Sequence, residues 1–146
     1  MSHNIPKLRV FVSSPGDVGA ERAVAIAVAE RLQLEFRGLV DLEPYLWERT
    51  VLRATDSFQA QIIDIQDADL SIFILWSRIG TPLPVQQFAR ADGSQYGSGT
   101  EYEFERAREG FEAKGRPDLL CYLKTDEVRF SLKDREERQR RNAELD

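Results

Sequence analysis

Histidine and cysteine are nearly missing from this chain, with one of each in 146 residues. A lone Cys121 leaves no second thiol for an internal disulfide. It lies within Leu119-Leu120-Cys121-Tyr122-Leu123, where a buried thiol acting as a small hydrophobe is expected. His3 is the sole histidine and sits in an N-terminus expected to be frayed, which argues against a histidine triad, an activated thiol or a zinc site. Basic charge is also short: 20 Lys and Arg stand against 25 Asp and Glu, for a net charge of −5. A sequence-blind DNA binder needs a concentrated basic face, so no direct nucleic-acid partner is expected, although a local basic pocket for a nucleotide is compatible with this balance. Apolar runs are short, and none nears the roughly 20 residues that span a bilayer, so no membrane partner is expected. Met1-Ser2-His3-Asn4-Ile5-Pro6 lacks the basic-then-apolar pattern of a signal peptide, and a cytoplasmic location follows as the expectation.

The common nucleotide signatures are missing too. No G-x-x-x-x-G-K-[ST] occurs, which excludes a P-loop of ordinary form. Pro15-Gly16-Asp17-Val18-Gly19 has the wrong glycine spacing for a dinucleotide fingerprint. A phosphorelay receiver would carry an aspartate after the third apolar run, where Trp76-Ser77-Arg78 stands instead.

What is present alternates. Apolar runs predict strands over Leu8–Val12, running into Ser13-Ser14; over Leu39–Leu42, leading to Tyr45-Leu46-Trp47; over Leu70–Trp76; and over Leu119–Leu123. The first, third and fourth are continuous enough to suggest strands covered on both faces. Between them, Val18, Ala25, Val28, Ala29, Leu32 and Phe36 fall on one helical face, with Ser14 or Asp17 as cap and Gly38 as a left-handed stop. Phe58, Ile62 and Ile65 suggest a second helix capped by Asp56 or Ser57. A third runs from about Thr100 to Lys114 and stops at Gly115-Arg116-Pro117. The order β-α-β-α-β-α-β predicts an α/β domain with a central parallel sheet and helices on both faces, whose ligands bind at the carboxyl ends of the strands. Residues 82–99 form a long polar stretch expected to be a mobile loop beside a site. The organisation is a domain over 1–125 followed by a charged helix or linker over 126–146.

One segment stands out chemically, Gly97-Ser98-Gly99-Thr100-Glu101-Tyr102-Glu103-Phe104-Glu105. Small residues lead into a helix whose first turns carry three carboxylates. Glu101 and Glu105 share a face, while Glu103 lies about 200° round from Glu101. One acid can therefore face the cleft while two face outward. The plainer alternative is that acids in a first turn simply favour the helix dipole.

In order, Val10-Phe11-Val12-Ser13-Ser14, then Asp17 and Glu21-Arg22, then Trp76-Ser77-Arg78-Ile79-Gly80, then Thr100-Glu101-Tyr102-Glu103-Phe104-Glu105-Arg106-Ala107, the chain resembles the Toll/interleukin receptor (TIR) family over about Leu8 to Thr125. More narrowly, it resembles the bacterial TIR-related domains fused to sensor ATPases or repeat arrays. Gly99 and Thr100 replace the Trp-Cys of the broader family, while Glu103 and Phe104 keep its Glu and apolar positions. The Gly-Thr-x-x-Glu spacing also resembles nucleoside deoxyribosyltransferases. The resemblance implies a flavodoxin-like (TIR-like) three-layer fold, although the fifth strand and last helix of that fold are not evident after Thr125. It implies an NAD⁺ glycohydrolase with Glu103 as catalytic residue, NAD⁺ as substrate, and neither a separate cofactor nor a metal.

Ser13 and Ser14 would lie near the dinucleotide, Trp47 would stack on a ring, Arg78 would contact phosphate or ribose, and Thr100 would join them at the helix start. Each has an ordinary reading as well. The serines can be caps, Trp47 a packing residue, Arg78 the partner of Asp92 or another acid, and Tyr102 either packing or site. The resemblance further implies a homo-oligomer through TIR–TIR contacts, with the loop over 48–55 completing a neighbour's site. It also implies a sensor domain beyond Asp146 and a role as an effector of prokaryotic antiviral immunity. Two other functions fit the residues: a non-catalytic assembly module, and a nucleoside or nucleotide ribosyl-transferring enzyme.

Overall fold

A computed structural model describes residues 5–45, 65–77 and 89–127, and further on Gln139 and Ala143 in helical backbone. Four strands, β1 (Lys7–Ser13), β2 (Asp41–Tyr45), β3 (Leu70–Leu75) and β4 (Asp118–Leu123), form one sheet in the order β2-β1-β3-β4. All three pairings are parallel. Helices α1 (Gly19–Glu35) and α2 (Gly99–Lys114) join the strands, with short 3-10 turns at Gly16–Val18 and Ile65–Asp67.

Alternation along the strands divides the core in two. Val10, Val12 and Ile74 pack with Val18 and with Ala25 and Ile26 of α1 on one face. Phe11 and Phe73 pack with Ile65, Ala68 and Ala107 of α2 on the other. The result is a three-layer α/β arrangement of flavodoxin-like pattern. Strand order reverses between β1 and β3, and in sheets of this kind the crevice that takes ligands lies outside the strand carboxyl ends at such a switch point.

α2 obeys its local signals: Ser98 caps it by accepting from the Glu101 N–H at 3.1 Å, and Gly115 closes it in the left-handed region at φ 73°. Gly38 likewise turns the chain at φ 86° after α1.

Other expectations need correction. Neither Ser14 nor Asp17 caps α1; a 3-10 turn intervenes, and the Asp17 carboxylate binds Ser77 across the crevice instead. The expected apolar stripe of α1 is only half used. Val18 is buried and Ala25 and Ala29 half-buried, whereas Val28, Leu32 and Phe36 are exposed. The second half of α1 is tied to β2 through polar groups: the Gln33 carbonyl accepts from the Leu42 N–H, and its amide donates to Asp41 at 3.1 Å. β4 is not covered on both faces: Leu120, Cys121, Tyr122 and Leu123 are exposed, and among the described residues the strand lies at the edge of the sheet. Of the expected second helix only Ile65 is among the described residues, where it begins a 3-10 turn.

Candidate active site

Among the described residues, three chain segments meet at this switch point. β1 delivers Ser13 at its carboxyl end, on the same face as Phe11 and therefore toward α2, where it is 1% exposed. The second turn of α2 delivers Glu103, and the Ser13 hydroxyl donates to its carboxylate. The third segment follows β3. Ser77, fully buried, donates through its hydroxyl at 2.7 Å and its backbone N–H at 3.2 Å to the Asp17 carboxylate, joining the two turns that border the crevice. Ser14, next along the β1 turn, has a buried hydroxyl with no hydrogen-bond partner among the described residues. Thr100 is buried in the first turn of α2.

The other two acids in the first turns of α2, Glu101 and Glu105, are turned away, and a single cation holds them. The Arg90 guanidinium meets Glu101 at 2.7 Å and Glu105 at 2.6 Å, and donates to the Gln95 carbonyl at 2.7 Å. It also lies 4.5 Å over the ring of buried Tyr96, which packs edge-on against Tyr102 at 5.1 Å. The hydrogen bonds from Arg90 hold the Glu105 carboxyl below its usual range, and Glu105 in turn raises Arg90. Glu103 contacts Ser13 on one side of α2, while Glu101 and Glu105, expected to face solvent, meet the Arg90 guanidinium on another. The described part of the long polar stretch, residues 89–98, is anchored by these contacts and by a bridge between Ala89 and Gln95. Tyr102 is packed against Tyr96, and Phe104 meets Phe73 edge-on at 5.2 Å.

A second polar group borders the ends of β3 and β4. Lys124 pairs with Glu21 and lies 4.5 Å over the Trp76 ring, while the Trp76 indole N–H donates to the Asp126 carbonyl at 2.9 Å. The Lys124 hydrogen bond lowers the Glu21 carboxyl, and Glu21 raises Lys124.

Of the residues expected at the site, Ser13 and Glu103 are in contact, Ser14 shares the β1 turn, and Thr100 lies one turn before Glu103. Trp47, Arg78 and the loop over 48–55 lie outside the described residues. Asp92 accepts from the Ser94 hydroxyl and N–H within its own turn, at 2.6 and 2.9 Å. Arg90 was not among the expected residues, yet the signal was present: it is the one cation between Arg78 and Arg106, placed just before a run of acids. Among the described residues no group of three or more His, Cys, Asp or Glu could hold a metal ion, and no helix is long and apolar enough to cross a membrane. Compared with protein-family models, with curated proteins and with solved structures, the chain matches none.

Chemically, the arrangement presents one carboxylate, oriented by one buried hydroxyl, at the strand ends where the sheet order reverses. A carboxylate so placed can stabilise a developing positive charge or hold a sugar hydroxyl.

Proposed function

We propose that the chain is a TIR-like NAD⁺ glycohydrolase, an effector of prokaryotic antiviral immunity activated by self-association, with Glu103 as its catalytic residue. The observation that carries this reading is the contact between Ser13 and Glu103 at the β1 end of the crevice. It supports a carboxylate directed at a bound ligand rather than at bulk water. The resemblance in sequence supplies the substrate and the biological setting, and with them a cytoplasmic location.

Cleavage of the nicotinamide–ribose bond asks for little acid–base assistance. The bond's electron pair leaves with nicotinamide, which departs neutral, and positive charge develops on the ribose. The Glu103 carboxylate would stabilise that charge or accept from a ribose hydroxyl. Water then adds to the anomeric carbon and loses a proton. The Ser13 proton is committed to Glu103, so Ser13 orients the carboxylate, while the Ser14 hydroxyl, without a partner among the described residues, is left to meet the dinucleotide. Trp47 and Arg78 keep the ring-stacking and phosphate- or ribose-binding roles implied by the resemblance, with Thr100 beside them.

A non-catalytic assembly module is the second reading, favoured by the exposed apolar edge of β4. Incubating the protein, fused to an oligomerising partner, with NAD⁺ and following the products by NMR separates the readings. Free nicotinamide with linear or cyclic ADP-ribose is expected. Nicotinamide silence in every assembled state would leave the assembly module, and exchange of bases between nucleosides would point to ribosyl transfer.

A further inference from the structure

Among the described residues, the two edges of the sheet are built differently. β2 carries Asp41, Glu43 and Pro44 along its five residues, the charges and proline that discourage strand addition. From Leu119 to Leu123, β4 has neither a charge nor a proline, and Leu120, Tyr122 and Leu123 are 42%, 57% and 69% exposed. The backbone on that side is also open. Asp118 and Lys124 donate their N–H groups to β3, to the Asp69 carbonyl at 2.9 Å and the Leu75 carbonyl at 2.8 Å. By the alternation of a strand, the N–H and C=O groups of Leu119, Cys121 and Leu123 point away from the sheet. No strand lies on that side among the described residues.

We propose that this edge pairs with the same edge of a second copy of the chain, antiparallel, about a two-fold axis at Cys121. The register argues for a second copy rather than another partner, because the strand is complementary to itself when reversed. With the axis at Cys121, Asp118 stands opposite the partner's Lys124, Leu119 opposite the partner's Leu123, and Leu120 opposite the partner's Tyr122. Opposite charges and an aromatic–aliphatic pair are the cross-strand neighbours that stabilise an antiparallel ladder. Moving the axis by one residue breaks this match, setting Asp118 against Tyr122 or Lys124 against Leu120. Lys124 already faces Glu21 and Asp126, so the partner's Asp118 adds to an acidic surround. The continuous sheet gains three pairs of outward backbone groups, at Leu119, Cys121 and Leu123, and covers the β4 edge of both copies at once.

Because Cys121 is the only cysteine, it reports the axis directly. In this register the two Cys121 residues form a hydrogen-bonded antiparallel pair, with Cα atoms about 5.5 Å apart. The test is sedimentation of the whole chain over a dilution series, with a short thiol–thiol cross-linker applied to the same samples. A dimer cross-linked through Cys121 is expected. Cys121→Lys would set two ammonium groups opposite each other and weaken dimerisation by about tenfold or more, with the far-ultraviolet circular dichroism unchanged. The proposal is overturned by a monomer at every concentration, by a dimer whose thiols do not cross-link, or by a Cys121→Lys protein that still dimerises as tightly. A monomer whose Cys121 resists a small alkylating reagent would also overturn it, since another stretch of the same chain would then cover the edge. These readouts are mass and thiol chemistry, so their outcome is independent of nicotinamide release.

Discussion

Ser13 and Ser71 lie on neighbouring strands, β1 and β3, and both side chains face α2; Ser13 is 1% exposed and Ser71 0%. They differ in one respect. Ser13 donates to Glu103, whereas the Ser71 hydroxyl has no partner among the described residues. The same substitution should therefore destabilise at Ser13 and not at Ser71. A hydrogen bond to a charged group contributes about 1.5–3 kcal/mol net. Glu103 is only half-buried and can recruit water once Ser13 is lost, so Ser13→Ala should cost about 1.5 kcal/mol, the lower end. Near its midpoint a chain of this length loses about 0.3 kcal/mol per degree, which makes that a fall of about 5 °C. A buried hydroxyl without a partner costs about 1–3 kcal/mol, so Ser71→Ala should be neutral or stabilising by about 1 kcal/mol, the lost volume offsetting part of the gain. Urea titration of both variants, with unchanged slope, measures the difference, expected near 2 kcal/mol. Equal losses at the two serines, or a larger loss at Ser71, would refute the hydrogen-bond assignment on which the site is built.

Acid should weaken the fold through its paired glutamates. Glu105 and Glu21 are held below their usual range by Arg90 and Lys124, so their contribution is present above the unfolded value of about 4.3 and is lost as pH falls through the lower folded values. Arg90→Gln should lower the urea midpoint at neutral pH and flatten the acid limb; an unchanged limb would show that the clamp on α2 contributes nothing. Gly110→Ala should destabilise by about 1–3 kcal/mol, because a Cβ there would stand 3.1 Å from both the Arg116 carbonyl oxygen and Gln66 Cγ. A thermal melt unchanged from the parent would contradict that packing.

How far the sequence could be followed depended on the distance over which each feature is determined. α2 was legible to within a residue because its stops are local: Ser98 before it, and Gly115 with Pro117 after it. β1 and β3 were legible because both are internal strands, and their apolar runs record burial on two faces. β4 has a similar run but lies at the edge among the described residues, and nothing in five apolar residues states whether a neighbour exists. That is why Cys121 was expected inside and is found outside. The placing of Glu103 against Glu101 and Glu105 followed from helical pitch alone, and the contacts agree. Partners chosen across space were not legible: Asp17 could not be assigned to Ser77, 60 residues away, nor Ser13 to Glu103, 90 residues away. Those pairings exist only once the sheet has brought the strand ends together.

The most direct measurement is the rate of nicotinamide release from NAD⁺ by the assembled protein carrying Glu103→Gln, beside the matched Glu101→Gln variant. Loss of one preorganised electrostatic stabiliser should slow the first by about 100-fold or more, while the second, altered on the Arg90 side of α2, should keep most of its rate. Comparable turnover by Glu103→Gln and the unmodified protein, with both equally folded, would contradict the catalytic role of that carboxylate.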